Sequence, residues 1–246
     1  VYTLIISAFI PAREVWGFIN LQGLVMFGLY ATGIASALVV SFLIKFFMLR
    51  DFAPAPFMLE LPDYKVPRLK SIAIGVYTRA KMFLYRAGTT ILSMMVLIWF
   101  LASFPQPPAG AEGPAINYSL AAMIGHALEP LLAPLGFNWQ IAVALIPGMA
   151  AREVAVAALG TVYAIEGGKE AADQIGQVLA SKWSLATALS LLAWFVFAPQ
   201  CMSTIAVTRR ETNGWKWPSF MLAYLFGLAY IFSGIVYWSA VAIGLG

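Results

Sequence analysis

Between positions 183 and 208 the chain carries no charged residue. That run exceeds the roughly 20 residues a helix needs to cross the hydrocarbon core of a bilayer. In its middle stand Pro199, Gln200 and Cys201. Proline lacks a backbone N–H and crowds the preceding turn, so a helix through this run must kink or stop. Backbone that leaves the helix at membrane depth survives only where protein or a water-filled cavity surrounds it. The run thus predicts a broken membrane helix whose gap holds the sole cysteine of the sequence, followed by Met202, Ser203 and Thr204.

Further charge-free runs of spanning length lie at 15–44, 87–111, 130–151 and 217–246. The 246 residues are 61% hydrophobic and only 11% charged, against about 25% charged for soluble domains. These values exclude an ordinary soluble globular fold. The expected class is all-α, a polytopic transmembrane helical bundle with broken or re-entrant helices. One cysteine excludes a disulfide framework or a cysteine-built zinc site within the chain. A net charge of +4 is spread too thinly for nucleic acid and fits the cytoplasmic loops of a bacterial inner-membrane protein.

Taken in order, 1–11 reads as a partial span and 12–20 as a short connection. A span follows at about 21–47, with Gly28, Thr32 and Ser36 forming a small-residue stripe suited to close helix packing. The basic, proline-rich segment 48–86 is expected to be a cytoplasmic linker by the positive-inside rule. Its second half has Leu69, Ile72, Val76, Ala80 and Phe83 at the spacing of an amphipathic surface helix. Next come a span at 87–104 and an external region at 105–135. The latter includes a short helix whose apolar face is Leu120, Met123, Ile124, Ala127, Leu128, Leu131 and Leu132, with His126 and Glu129 opposite. Segment 137–165 is broken at Pro147-Gly148 and is either one kinked span or a re-entrant hairpin. Loop charges favour the hairpin, which keeps Arg209-Arg210 cytoplasmic. A short polar helix at 167–182 and spans at 183–208 and 217–243 complete the chain.

A charge inside a bilayer is a functional candidate by default. Arg152 and Glu153 form the clearest such pair, and as direct neighbours on a helix they point in different directions. The alternative is a pair of interfacial charges held in helix–helix salt bridges. Thiolate, thioether and carboxylate together suit a divalent metal such as Fe²⁺. Cys201, Met202 and Glu153 are therefore the candidate metal ligands, with Pro147, Gly148, Arg152, Pro199, Gln200, Ser203 and Thr204 as pathway residues. Against this stands a reading in which Cys201 is a small buried hydrophobe. His126 reads as a solvated surface histidine. No G-x-x-x-x-G-K-[ST] phosphate loop occurs.

Four stretches carry a family resemblance: FMLELPDYKVPRLKSI (57–72), RAGTTILSMMVLIWFLASFP (86–105), EPLLAPLGFNWQIAVALIPGMAAREV (129–154) and APQCMSTIAVTRRETNGWKWPSF (198–220). In this order and spacing the chain resembles the C-terminal membrane part of FeoB-type ferrous iron transporters. That family joins a cytoplasmic GTPase domain to a membrane domain with two Gate motifs, each holding a cysteine. Segments 148–160 and 199–210 resemble the second Gate, and Cys201 falls on its cysteine. The resemblance implies that the G domain and the first Gate lie outside these residues.

The expected function is therefore part of a ferrous iron uptake permease of the bacterial inner membrane, multi-pass and not itself an enzyme. Fe²⁺ is its cargo, with no permanently bound cofactor, and GTP enters only through the G domain. Expected partners are the lipid bilayer, an N-terminal half carrying the GTPase domain, and a second copy in a homo-oligomer. Nucleic acid is not expected. Two alternatives remain: a Gate-type transporter of an organic solute such as a nucleoside, using Gln200, Ser203 and Thr204, or a non-transporting membrane scaffold.

Overall fold

The computed structural model describes residues 2–15, 19–48, 68–106, 115–149, 152–173, 175–199 and 201–246. The first half of the linker (49–67), the loop 107–114 and Gln200 are among those that fall outside the described residues. The described elements are helical apart from one small hairpin, Glu14–Val15 (β1) paired antiparallel with Ile19–Asn20 (β2). It occupies the connection between α1 (Tyr2–Phe9) and α2 (Leu21–Met48).

Helix α2 is long and apolar enough to cross a membrane and buries none of that length within the chain. It touches α1 and one later helix along one side and presents Phe27, Tyr30, Ile34, Leu38 and Phe42 outward. Gly28 and Thr32 also face outward, so most of the small-residue stripe makes no close contact among the described residues. Helix α3 runs unbroken over Leu69–Ser103, where a surface helix and a separate span were expected. Nothing at Arg86 stops a helix, and Gly88 costs only about 1 kcal/mol. At a rise of about 1.5 Å per residue, its 35 residues extend about 52 Å. That exceeds a hydrocarbon core of roughly 30 Å, so a single rod carries both the basic and the apolar part.

Helix α4 (Leu120–Leu132) starts at Ser119, whose hydroxyl accepts from the amide of Ala122 at 3.2 Å, one of the donors a helix start leaves free. Its packed side differs from the expected one. Ala121, Ala122, Gly125 and, at the last turn, Leu132 are buried, whereas Leu120, Met123, Ile124 and Leu131 are exposed. Lipid is as apolar as a protein core, so inside a membrane small residues mark the packed side. A one-turn 3₁₀ helix over Ala133–Leu135 leads to Gly136, which has a left-handed φ of 76°. There the chain turns by 98° into α5 (Trp139–Gly148). Asn138 caps α5 by accepting from the Ile141 amide at 2.9 Å.

Helix α6 (Arg152–Asp173) packs back along α5. Gly148 lies against Ala155 at one end, and the Asn138 amide donates to the Tyr163 hydroxyl at 3.4 Å at the other. The two are antiparallel partners. Helix α6 also runs on through Gly167, where a separate polar helix was expected, and only Ile175–Lys182 (α7) stands apart.

Helix α8 (Leu185–Phe197), capped by Ser184 accepting from Thr187 at 3.1 Å, lies antiparallel to α10 (Lys216–Ala242). Ser190 and Ser233, both 0% exposed, each donate to the other's carbonyl, at 3.2 and 3.0 Å. Such paired side-chain bonds hold helices together where lipid supplies no hydrophobic drive. Between α8 and α10 lies α9 (Met202–Glu211). The Thr208 hydroxyl meets the Met221 sulfur at 3.9 Å, so α8 and α9 run successively along one partner.

Candidate functional site

Two interruptions define the site. Pro147 and Gly148 are buried at the end of α5, ahead of the turn into α6. A Cβ on Gly148 would stand 2.7 Å from that of Ala155, so absence of a side chain is what lets the hairpin close. The second interruption, 198–201, separates α8 from α9. Ala198 and Cys201 both have extended backbone, with φ, ψ of −63°, 142° and −148°, 105°. This gap lies between the stacked Phe197–Phe232 rings, 4.5 Å apart, and the Thr208–Met221 contact. It therefore faces the middle of α10.

At the gap Pro199 is buried, while Cys201, Met202, Ser203 and Thr204 are exposed. Cys201 sits at the N-cap of α9, and its carbonyl accepts from the Thr204 amide at 3.1 Å. The thiol thus stands at the first turn of a helix, where amides lack intrahelical partners. Among the described residues the Cys201 side chain is exposed rather than buried.

Arg152, the first residue of α6, reaches across to both neighbours. Its Nη2 donates to the Tyr2 hydroxyl at 3.0 Å and also to the Phe195 carbonyl oxygen. The guanidinium carbon lies 4.5 Å from the centre of the Tyr2 ring and 5.8 Å from that of Phe195. A charged hydrogen bond contributes about 1.5–3 kcal/mol and a desolvated cation–π contact up to about 2. Together these hold the guanidinium in place at the start of α6. Arg152 is thus turned toward α1 and α8. Tyr2 and the Phe195 carbonyl are the members that sequence reasoning missed, being 150 and 43 residues from Arg152.

The side chain of Glu153 lies outside the described residues, although its backbone belongs to α6. Gln200 lies outside them altogether. Among the described residues no group of three or more His, Cys, Asp or Glu converges on a metal position. His126 pairs with Glu129 at 2.9 Å on the outer side of α4. An apolar cavity of about 50 Å³ bounded by Leu97, Leu101, Val143 and Pro147 offers a cation no ligand. What the site supplies is a thiol, a thioether, two hydroxyls and the open start of a helix, all on one exposed turn.

Two long apolar helices, a right-angled pair and several shorter apolar helices define a multi-pass helical membrane protein. The Gate family profile, described as nucleoside recognition, matches residues 84–215. The profile for the ferrous iron transport protein B C terminus matches residues 26–79. The chain belongs to the Gate family and carries the C-terminal membrane region of FeoB-type transporters. It is 36% identical over 96% of its length to the Fe(2+) transporter FeoB of Leptospira interrogans serogroup Icterohaemorrhagiae serovar copenhageni, of which it covers 36%. Against the Fe(2+) transport protein A/Fe(2+) transporter FeoB fusion protein of Porphyromonas gingivalis the identity is 31%, covering 96% of this chain and 32% of that one. The Fe(2+) transporter FeoB of Methanocaldococcus jannaschii is 32% identical over 89% of the chain and is covered to 32%. The chain spans about a third of the length of these curated relatives. No solved structure matches it significantly.

Proposed function

We propose that this chain forms the second-Gate half of a ferrous iron uptake permease in the bacterial inner membrane, with Fe²⁺ passing the gap between α8 and α9. The observation that carries the reading is the exposed Cys201 at a helix interruption that faces the middle of its partner helix. A thiol and the Met202 thioether suit a borderline cation, and a single exposed turn binds weakly enough for the ion to leave. Glu153 is assigned as the carboxylate of the route and Gln200, Ser203 and Thr204 as its polar lining. The α5–α6 hairpin enters and leaves on one face, which keeps Arg209-Arg210 cytoplasmic. An N-terminal half with a GTPase domain supplies the rest of the route.

The test is ferrous uptake by cells in which the longer transporter containing this chain is the sole ferrous route. Cys201→Ser is expected to lower uptake at least about tenfold, the scale of losing a group that tunes a metal site, with membrane levels of the protein unchanged. The Gate description, together with the exposed Ser203 and Thr204, keeps a nucleoside-like solute as the second reading. Unchanged ferrous uptake in Cys201→Ser would overturn the assignment of Cys201 to the route, and a transporter whose loss abolishes nucleoside uptake while leaving ferrous uptake intact would favour that solute and overturn the iron assignment.

A further inference from the structure

Helix α3 carries one apolar face through both of its halves, and only the second half of that face is covered. At about 3.6 residues per turn, 18 residues make five turns, so positions that far apart lie on the same side. Val76, Ala80, Phe83 and Leu84 therefore share a face with Met94, Ile98, Leu101 and Ala102. In the second half this is the packed side, where α3 meets α4 and α6. Ile98 and Ala102 are 4% and 2% exposed there, and Met94 and Leu101 are half-buried. In the first half the same side is bare, with Val76 62% and Phe83 69% exposed. Lys70 and Lys81 border the bare stripe on one flank and Arg79 on the other, and α3 contains no acidic residue.

Three occupants compete for this stripe: lipid, a second copy, or another part of the same transporter. The residues from Phe83 to Ser103 extend about 31 Å, the depth of a hydrocarbon core. The turns before Phe83 thus project about 20 Å past the lipid tails. Sharp kinks arise at proline or a comparable break, and α3 is unbroken with no proline inside it, so this part does not fold down onto the bilayer. Copies related by an axis along the membrane normal would set their α3 helices parallel. Every charge bordering the stripe is positive, so such a pairing would bring like charges together.

We propose that the first half of α3 is the docking face for an amphipathic helix whose apolar stripe is bordered by carboxylates, supplied by the part of the longer transporter outside these residues. Charges beside an apolar helix seam set partner choice, and Asp or Glu opposite Lys70, Arg79 and Lys81 completes this one. The inference rests on the reading of this chain as one part of a longer transporter, of whose curated relatives it spans about a third. Because α3 is one continuous helix, the docked helix grips the same element that packs on α4 and α6.

The test is site-specific photocrosslinking in the intact transporter in its native membrane, with the products identified by mass spectrometry. Val76→benzoylphenylalanine is expected to crosslink within the polypeptide, to a segment outside these residues that has Asp or Glu beside its apolar positions. Its yield should exceed that of Thr78→benzoylphenylalanine at least about tenfold, because Thr78 sits across a helix about 10 Å wide. Phe83→benzoylphenylalanine exchanges one aromatic for another and carries the test if the Val76 variant does not fold. Crosslinks to lipid, to a second copy, to residues 49–67 or to a segment without carboxylates would each overturn the proposal, as would equal yields from Thr78 and Val76. No iron enters the assay, so its failure is separable from failure of the transport reading.

Discussion

Gly136→Val is expected to leave little folded protein in the membrane. Gly136 sits at the right-angled corner between α4 and α5 with a φ of 76°. A left-handed backbone costs an ordinary L-residue about 1–2 kcal/mol, and β-branching makes such a φ a genuine outlier. The surroundings close the other escape. A Cβ built at Gly136 stands 2.1 Å from the Cε2 of Tyr237, on α10, and the Gly136 carbonyl accepts from the Thr187 hydroxyl of α8 at 3.0 Å. Shifting the corner to relieve the clash breaks that bond. With overpacking at about 1–3 kcal/mol, the total is about 2–5 kcal/mol, a large fraction of a typical folding free energy. Fluorescence-detected gel filtration should show the monodisperse peak lost. Adding Tyr237→Ala should restore only part of it, since the ring clash goes and the backbone strain stays. Full restoration would assign the whole cost to the ring.

Gly148→Ala should cost about 1–3 kcal/mol, through contact rather than backbone conformation. Its new methyl would lie 2.7 Å from the Ala155 Cβ, and neither atom belongs to a flexible chain end that can swing aside. The hairpin tip must open, and with it the start of α6 from which Arg152 reaches α8. Ala155→Gly in the same chain exchanges the methyl between the two helices and should recover most of the stability, measured as Tm in detergent. A double variant no more stable than Gly148→Ala would place the defect elsewhere than at this contact.

The helix interruptions were legible in the sequence because they are made by single residues acting locally. Pro147-Gly148 and Pro199 stand in charge-free runs, and the helices end at Gly148 and Phe197. The charge-free stretch after Asn20 likewise coincides with α2. The packed side of α4 was not legible, because periodicity finds an apolar stripe without saying whether lipid or protein covers it. There Leu120, Met123, Ile124 and Leu131 face out, while Ala121, Ala122, Gly125 and Leu132 face in. The continuity of α3 was missed for a related reason. A change from basic to apolar composition at residue 86 marks a change of surroundings, and it does not end a helix.

The candidate site was only half legible. Cys201 could be placed at a gap from its neighbours alone. The role of Arg152 could not, since Tyr2 and Phe195 meet it through folding over long separations.

The central claim is that the gap between α8 and α9 opens the Cys201 thiol onto a route used by a cation. Its most direct test is the modification of Cys201 by a membrane-impermeant maleimide in the intact transporter under anaerobic, reducing conditions, with and without Fe²⁺. The account predicts that the thiol is labelled, that micromolar Fe²⁺ slows labelling, and that Mg²⁺, which prefers oxygen ligands, does not. A thiol that resists labelling, or one labelled at the same rate with and without Fe²⁺, would contradict it.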